Sequence, residues 1–196
     1  VGPARIAVTH LGCDHVLRHA PPGGFEPARE PFVLTVSRVD PRKNHRAVLA
    51  VLERLAAAGF PHRWIVAGPP GFRAEDFETA VAQSPVRARV EWRRFASERE
   101  LAQLYSQCSA FLFPSFDEGF GLPPLEALAC GAPVVAGRSG SLPEVLGDAA
   151  DLVDPNDVDA LFENTRALLA DPGLAHARSR AGRVHAARFT WRACAE

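Results

Sequence analysis

Short runs of β-branched and aromatic residues alternate with longer amphipathic stretches along most of this chain, and that alternation constrains its fold more than any other feature. FVLTVS (32–37), RWIVAG (63–68), AFLFPS (110–115) and APVVAG (132–137) are largely apolar and end in turn-forming residues, as strands buried on both faces do. RVEW (89–92) and ADLVD (150–154) are shorter candidates. Helical patterns fill the intervals at 44–59, 74–84, 97–108, 122–131, 155–171 and 173–188. Their punctuation agrees. Gly59 and Gly131 stand at C-terminal positions, Pro123 and Pro124 suit a first turn, and Ser97 with Glu100 and Ser141 with Glu144 match the capping box. Strict β/α alternation predicts an α/β fold with an open, doubly wound parallel sheet, whose ligands bind beyond the carboxyl ends of the strands.

Within that frame, DEGFGLPPLEALACG (117–131) poses a problem, because Glu118 and Glu126 lie in a segment apolar enough to be buried. Buried carboxylates need partners. If AFLFPS is a strand and a helix starts near Leu122, FDEGFG is the loop between them and Glu118 stands at the mouth of the crevice. Glu126 then falls in the first helical turn. Gly119 and Gly121 allow close backbone approach, and the amides of Phe120, Gly121 and Leu122 point out of a helix N-terminus, which favours anions. A phosphate flanked by two polyols fits this pattern, since a carboxylate accepts hydrogen bonds from two neighbouring hydroxyls. After the first strand, SRVDPRKNH (37–45) puts Arg38, Arg42 and Lys43 on the same edge of the sheet, where three cations either neutralise a diphosphate or are solvated loop charges.

Composition narrows the partners. The 196 residues, 47% hydrophobic, suffice for one compact domain. Lysine and arginine number 22 against 23 acids, a net charge of -1, so no global field attracts nucleic acid or an anionic membrane and any anion site is local. Four cysteines show no CxxC spacing, and Cys108 and Cys130 lie in apolar stretches, which suits reduced thiols in a cytoplasmic protein. The given residues show no signal-peptide pattern and no apolar run approaching the ~18 residues of a membrane span. The chain contains no methionine and begins at Val1, so the expectation is a piece of a longer protein. CDHVLRH brings Cys13, His15 and His19 near helical spacing, but no fourth ligand follows and no metal site is expected. The arginine-rich stretch 176–189 reads as a solvated helix face.

Four stretches resemble the C-terminal, donor-binding domain of retaining GT-B glycosyltransferases of family 4, also called group 1: SRVDPRKNH, RWIVAGPPG, ELAQLYSQCSAFLFPSFDEGFGLPPLEALACGAPVVAG and SLPEVLGDAADLVDPND. EGFGLPPLE, with its EX7E spacing, is the most specific of these signals. VTHLGCD (8–14) is similar to the family's interdomain linker. The resemblance implies a Rossmann-like sheet forming one half of a GT-B fold, with residues 1–25 as linker and 26–196 as the nucleotide-sugar-binding domain. It implies that an N-terminal acceptor-binding domain is absent and that FTWRACAE is the shortened start of the helix that crosses back to it. By the same resemblance Arg38 and Lys43 contact the donor diphosphate, Glu118 faces the transferred sugar, and Gly119, Phe120, Gly121 and Leu122 form the phosphate loop. Glu126 holds the ribose, and Arg94 and Phe95 wall the base, although Arg93 and Arg94 replace the family's usual LG there. GSLPE replaces the frequent GGxPE, leaving Ser141 as a helix cap.

The implied activity is transfer of a hexose from a nucleoside-diphosphate sugar, with retention of configuration and without a metal or other cofactor, to a glycan or lipid-linked acceptor. The DEGFGLPPLEAL form and the HLG linker resemble mannosyl- and rhamnosyltransferases, which makes GDP-mannose the preferred donor. An enzyme of this kind would be cytoplasmic, held at a membrane only through the absent domain. A nucleotide-sugar epimerase of related fold and a catalytically silent nucleotide-binding module are the competing readings.

Overall fold

A computed structural model describes residues 8–21 and 24–196, so part of the expected linker, residues 1–7 and 22–23, lies outside the described residues. All six candidate strands form: β1 (Phe32–Val36), β2 (Arg63–Ala67), β3 (Val90–Arg93), β4 (Ala110–Phe113), β5 (Val134–Gly137) and β6 (Asp151–Val153). They make one parallel sheet in the order β3-β2-β1-β4-β5-β6. Strand order reverses between β1 and β4, and a crevice opens at the carboxyl ends of such a pair.

Residues alternate across the sheet with the period of two that a pleated strand requires. Phe32 and Leu34, Ile65, Phe111 and Phe113, and Val134 face one layer. Val33, Trp64 and Val66, Leu112 and Val135 face the other. The first layer is covered by α3 (Glu98–Gln107), α4 (Leu122–Cys130), α5 (Leu142–Leu146) and α7 (Pro172–Ala186), the second by α1 (His45–Ala57), α2 (Ala74–Gln83) and α6 (Val158–Ala170). A buried polar thread stitches the three central strands. The Trp64 indole N–H donates to Thr35 Oγ1 at 3.0 Å, and that hydroxyl donates to the Leu112 carbonyl at 3.0 Å. With each polar atom partnered, the two groups are buried without the penalty of an unmade bond.

Helix boundaries follow the expected signals with one exception. Ser97 and Glu100 form the reciprocal capping box at α3, and Gly131 ends α4 at φ +91°. Ser141 precedes α5 but does not cap it: its hydroxyl donates to the Glu118 carbonyl at 3.1 Å, and Glu144 turns to His10 instead of back to the cap. The expected capping box there is thus replaced by a contact between loops. Ahead of the sheet, Cys13 and Val16 are buried in the first layer, and the Cys13 amide donates to the Phe189 carbonyl at 2.9 Å. The chain closes with α8 (Trp191–Ala195) beside that segment. Cys108 and Cys130 are buried free thiols, as their apolar context implied.

Two buried imidazoles make stability depend on pH. Burial lowers His45 to about 4, partly offset by Asp40, and lowers His62 to about 4. Both remain neutral in the fold while the unfolded chain takes up protons below about 6.5. Their contribution is therefore complete above that value and is lost as pH falls toward 4. Burial raises the carboxyls of Glu126 and Asp151, which act in the opposite sense. Urea midpoints measured from pH 7 to 4 should fall less steeply for His62→Gln than for the parent chain, and equal slopes would contradict a neutral buried His62.

Candidate functional site

Three loops meet at the carboxyl ends of β1, β4 and β5. The loop after β1 contains a tight turn, Pro41–Lys43, closed by Asp40, whose side chain accepts from the Arg42 amide at 3.0 Å. Asn44 leaves that turn in the left-handed region at φ +55°, and its side-chain amide donates to the Pro155 carbonyl at 2.7 Å. The loop after β4 is bound to the first: the Phe116 amide donates to the Arg42 carbonyl at 2.9 Å, and the Arg42 guanidinium donates to the Asp117 carbonyl at 3.1 Å. The loop after β5 closes the set. Ser139 donates to the Ser115 carbonyl at 2.6 Å, while the Ser141 amide and hydroxyl both donate to the Glu118 carbonyl at 3.1 Å. Gly140 makes this approach possible, since a Cβ there would lie 2.5 Å from the Glu118 carbonyl oxygen.

The interlocked loops bring Lys43 and Glu118 together in an ion pair whose side chains are only 11% and 9% exposed. Lys43 also lies 5.4 Å from the centroid of the Phe113 ring. This is the partner that an acid in an apolar segment requires. The cations of this loop have separate tasks. Arg42 braces the neighbouring loop, Lys43 neutralises Glu118, and Arg38 is exposed with its stem packed on Gly71.

Beyond Glu118 the backbone is open. Gly121 lies at φ +89°, where a side chain would also meet Leu142 at 2.4 Å, so packing demands glycine there. Gly119 is different: a Cβ would meet nothing within 4 Å, leaving space above the loop. Among the described residues, the amides of Gly119, Phe120, Gly121 and Leu122 donate to no protein acceptor. Pro123 and Pro124 carry no N–H, so within the first three positions of α4 only Leu122 can offer one. The anion-binding capacity therefore lies in the loop amides more than in the helix itself.

Glu126 begins the second turn of α4, one residue later than expected. Its side chain is 12% exposed and both oxygens are engaged: the Tyr105 hydroxyl donates to Oε2 at 3.0 Å, and His15 Nε2 lies 3.0 Å from Oε1. Burial raises its carboxyl, and the Tyr105 and His15 contacts oppose that rise. Neither partner was singled out for this role from the sequence. Tyr105 is the chain's one tyrosine and sits on the buried side of α3, where a hydroxyl calls for an acceptor.

Arg38, Arg94 and Phe95 line a separate cleft of about 310 Å³ with Gly68, Ala96 and Leu101. The Arg94 guanidinium lies 4.4 Å from the centroid of the Trp92 ring and pairs with Glu78, and Phe95 is 82% exposed. The Cys13, His15 and His19 trio diverges. Cys13 Sγ faces the Ala186 and Phe189 carbonyls, His15 faces Trp191 and Glu126, and His19 lies 3.7 Å from Glu98.

A doubly wound sheet with a carboxylate, a cation and free amides at its switch point defines a Rossmann-like ligand-binding domain. The chain belongs to the glycosyl transferases group 1 family, whose profile matches residues 21–185. It is 32% identical to O-antigen chain mannosyltransferase B of Escherichia coli, covering 97% of this chain and 52% of that protein. It is 37% identical to the D-inositol 3-phosphate glycosyltransferase of Mycobacterium avium (strain 104), covering 96% and 47% respectively. The chain thus spans about half the length of these relatives. The crystal structure of Anabaena HepE in complex with UDP-glucose superposes with a TM-score of 0.75 at 20% identity, covering 83% of this chain and 45% of that one. The fold is accordingly one half of a GT-B architecture. No helix among the described residues is long and apolar enough to cross a membrane.

Proposed function

We infer that this chain binds the nucleoside-diphosphate sugar of a retaining glycosyltransferase and presents it to an acceptor held by a second domain. The observation that carries the reading is the buried Lys43–Glu118 pair beside the unpartnered amides of residues 119–122. A diphosphate accepts from the loop amides and attracts Lys43 and Arg38, so the leaving group is stabilised by preorganised donors without a metal being required. Glu118, released in part from Lys43 when phosphate competes for the ammonium, accepts hydroxyls of the sugar. Glu126 accepts the ribose hydroxyls through its remaining lone pairs. The exposed Phe95 ring stacks on the base, with Arg38 and Arg94 beside it.

A mannose donor, GDP-mannose, is the favoured case because the Escherichia coli relative is named a mannosyltransferase. The mycobacterial relative, at higher identity, is named for D-inositol 3-phosphate and for no particular sugar, so its name does not bear on the choice of mannose. The acceptor is a glycan or lipid-linked sugar. On this reading the 196-residue chain alone holds donor without transferring it.

Calorimetry with UDP, GDP and ADP, each with and without sugar, tests the assignment. Glu126→Ala should weaken binding by about 1 to 3 kcal/mol, equally for free nucleotide and nucleotide sugar, because it removes a charged acceptor from ribose. Glu118→Ala should weaken only the sugar-bearing ligands. Unchanged affinity in a folded Glu126→Ala protein, or equal losses for both ligand types in Glu118→Ala, would remove the respective residue from its role. Failure of the parent chain to bind any nucleotide would remove the donor-binding reading and favour a scaffold role.

A further inference from the structure

We propose that His15 is a positioning residue for Glu126: held in one tautomer by the Trp191 indole, it directs its Nε2–H at the carboxylate and so couples α8 to the nucleotide end of the cleft. The hydrogen-bond inventory leaves one consistent assignment. An indole N–H can only donate, and Trp191 Nε1 lies 3.0 Å from His15 Nδ1, so Nδ1 is the acceptor. In the neutral ring the proton then resides on Nε2, which lies 3.0 Å from Glu126 Oε1. Tyr105 donates to the other oxygen at 3.0 Å. Two donors from opposite elements prevent the carboxylate from turning, while each oxygen keeps a second lone pair for a ligand hydroxyl. A second layer of hydrogen bonds of this kind orients binding groups in many sites.

Trp191 is itself held in place. Its backbone amide donates to Asp14 Oδ1 at 2.8 Å, and the Thr190 hydroxyl caps the turn by accepting from the Ala193 amide at 3.1 Å. Gly12 lets the two segments meet, since a Cβ there would lie 2.1 Å from the Trp191 nitrogen. With α8 in this position the indole meets His15 and the imidazole meets Glu126. The titratable groups around Glu126 are His15 and Cys13 on the leading segment, Tyr105 and Glu98 on α3, and Cys130 on its own helix. Of these, His15 and Tyr105 are the ones that favour the ionised carboxylate. Loss of the His15 donor leaves burial less opposed and raises the Glu126 carboxyl further. The consequence for nucleotide affinity rests on Glu126 being the ribose ligand; the tautomer and its effect on the carboxyl do not.

The experiment uses the 196-residue chain with ¹⁵N-labelled histidine and ¹³C-labelled glutamate. Imidazole nitrogen shifts should report His15 as the Nε2–H form, and Trp191→Phe should weaken that bias while retaining an aromatic ring. His15→Phe should move the Glu126 carboxyl titration to higher pH, and His15→Gln, whose amide N–H can reach the same oxygen, should restore it. In calorimetry with GDP, UDP and ADP at neutral pH, His15→Phe should weaken the best-bound nucleotide about tenfold, the loss of one charge-assisted hydrogen bond. His15→Gln should recover most of that loss, and the onset of binding with pH should follow the carboxyl titration. An Nδ1–H tautomer, or a Glu126 titration indifferent to His15→Phe, overturns the proposal. A coupled carboxyl with a parent chain that binds none of the three nucleotides upholds the coupling and removes the ribose assignment instead.

Discussion

Lys43→Ala should destabilise the chain by about 3 to 5 kcal/mol, the loss typical when one member of a buried ion pair is removed and the other is left charged. The pair qualifies because its side chains are only 11% and 9% exposed. The backbone that carries Glu118 is fixed, its carbonyl accepting from the Ser141 amide and hydroxyl with Gly140 against it. Removing both charges tells a different story. Lys43→Met with Glu118→Gln leaves no ion unpaired, and the double variant should recover most of the lost stability. Urea denaturation of the parent, both single variants and the double variant measures this coupling directly. If Lys43→Ala and the double variant lose the same amount, the pair does not determine local stability. The same double variant separates folding from binding: stable but without affinity for the sugar moiety, it would show that the charges are retained for the ligand and not for the fold.

The alternation of strand and helix was legible because both faces of a parallel sheet are covered, which forces nearly continuous apolar runs such as FVLTV and AFLF. Sheet order does not follow from that pattern, because right-handed crossovers fix the face on which each helix packs once the order is set, and not the order itself. The capping signature at Ser141 fails because it is local, whereas the competing acceptor, the Glu118 carbonyl, comes from another loop. The candidate site divides in the same way. The pairing of Lys43 with Glu118 joins residues 75 positions apart, and that of His15 with Glu126 depends on the leading segment folding over α4. Residue types and edge location could be read from the sequence, but which cation met which acid could not, because Arg38, Arg42 and Lys43 are equivalent until loop geometry distinguishes them.

The net charge of -1 acquires meaning once these partners are known. Many of the chain's charges are spent on one another, as in Arg54 with Asp159, Arg73 with Asp76 and Arg166 with Glu163. Exposed pairs of this type add little stability and, being screened, little long-range attraction. Arg38 stands apart, exposed at the carboxyl edge beside Phe95. With the overall charge near zero, an anion site in this protein depends on local geometry and not on a long-range field.

The largest expected effect concerns transfer itself. The 196-residue chain should bind nucleotide sugar yet transfer no detectable sugar, and activity should appear only when the domain is joined to the remaining half present in its relatives. The residues assigned to donor binding lie on one edge of one sheet, whereas transfer also requires an acceptor hydroxyl held against the reacting carbon. Fixing two reactants in that geometry lowers a barrier by about 7 to 11 kcal/mol, so its absence removes many orders of magnitude in rate. An open edge also leaves the donor in water, where the charges of Lys43 and Glu118 act through a higher dielectric than in a closed cleft. Binding survives this loss because the loop amides, Lys43 and Glu126 reside within the chain. A mass-spectrometric transfer assay, run beside calorimetry on the same preparation and on a full-length enzyme containing this domain, distinguishes the two capacities. Robust transfer by the 196 residues alone would mean that acceptor recognition is built into this sheet edge, and the two-domain reading would fall.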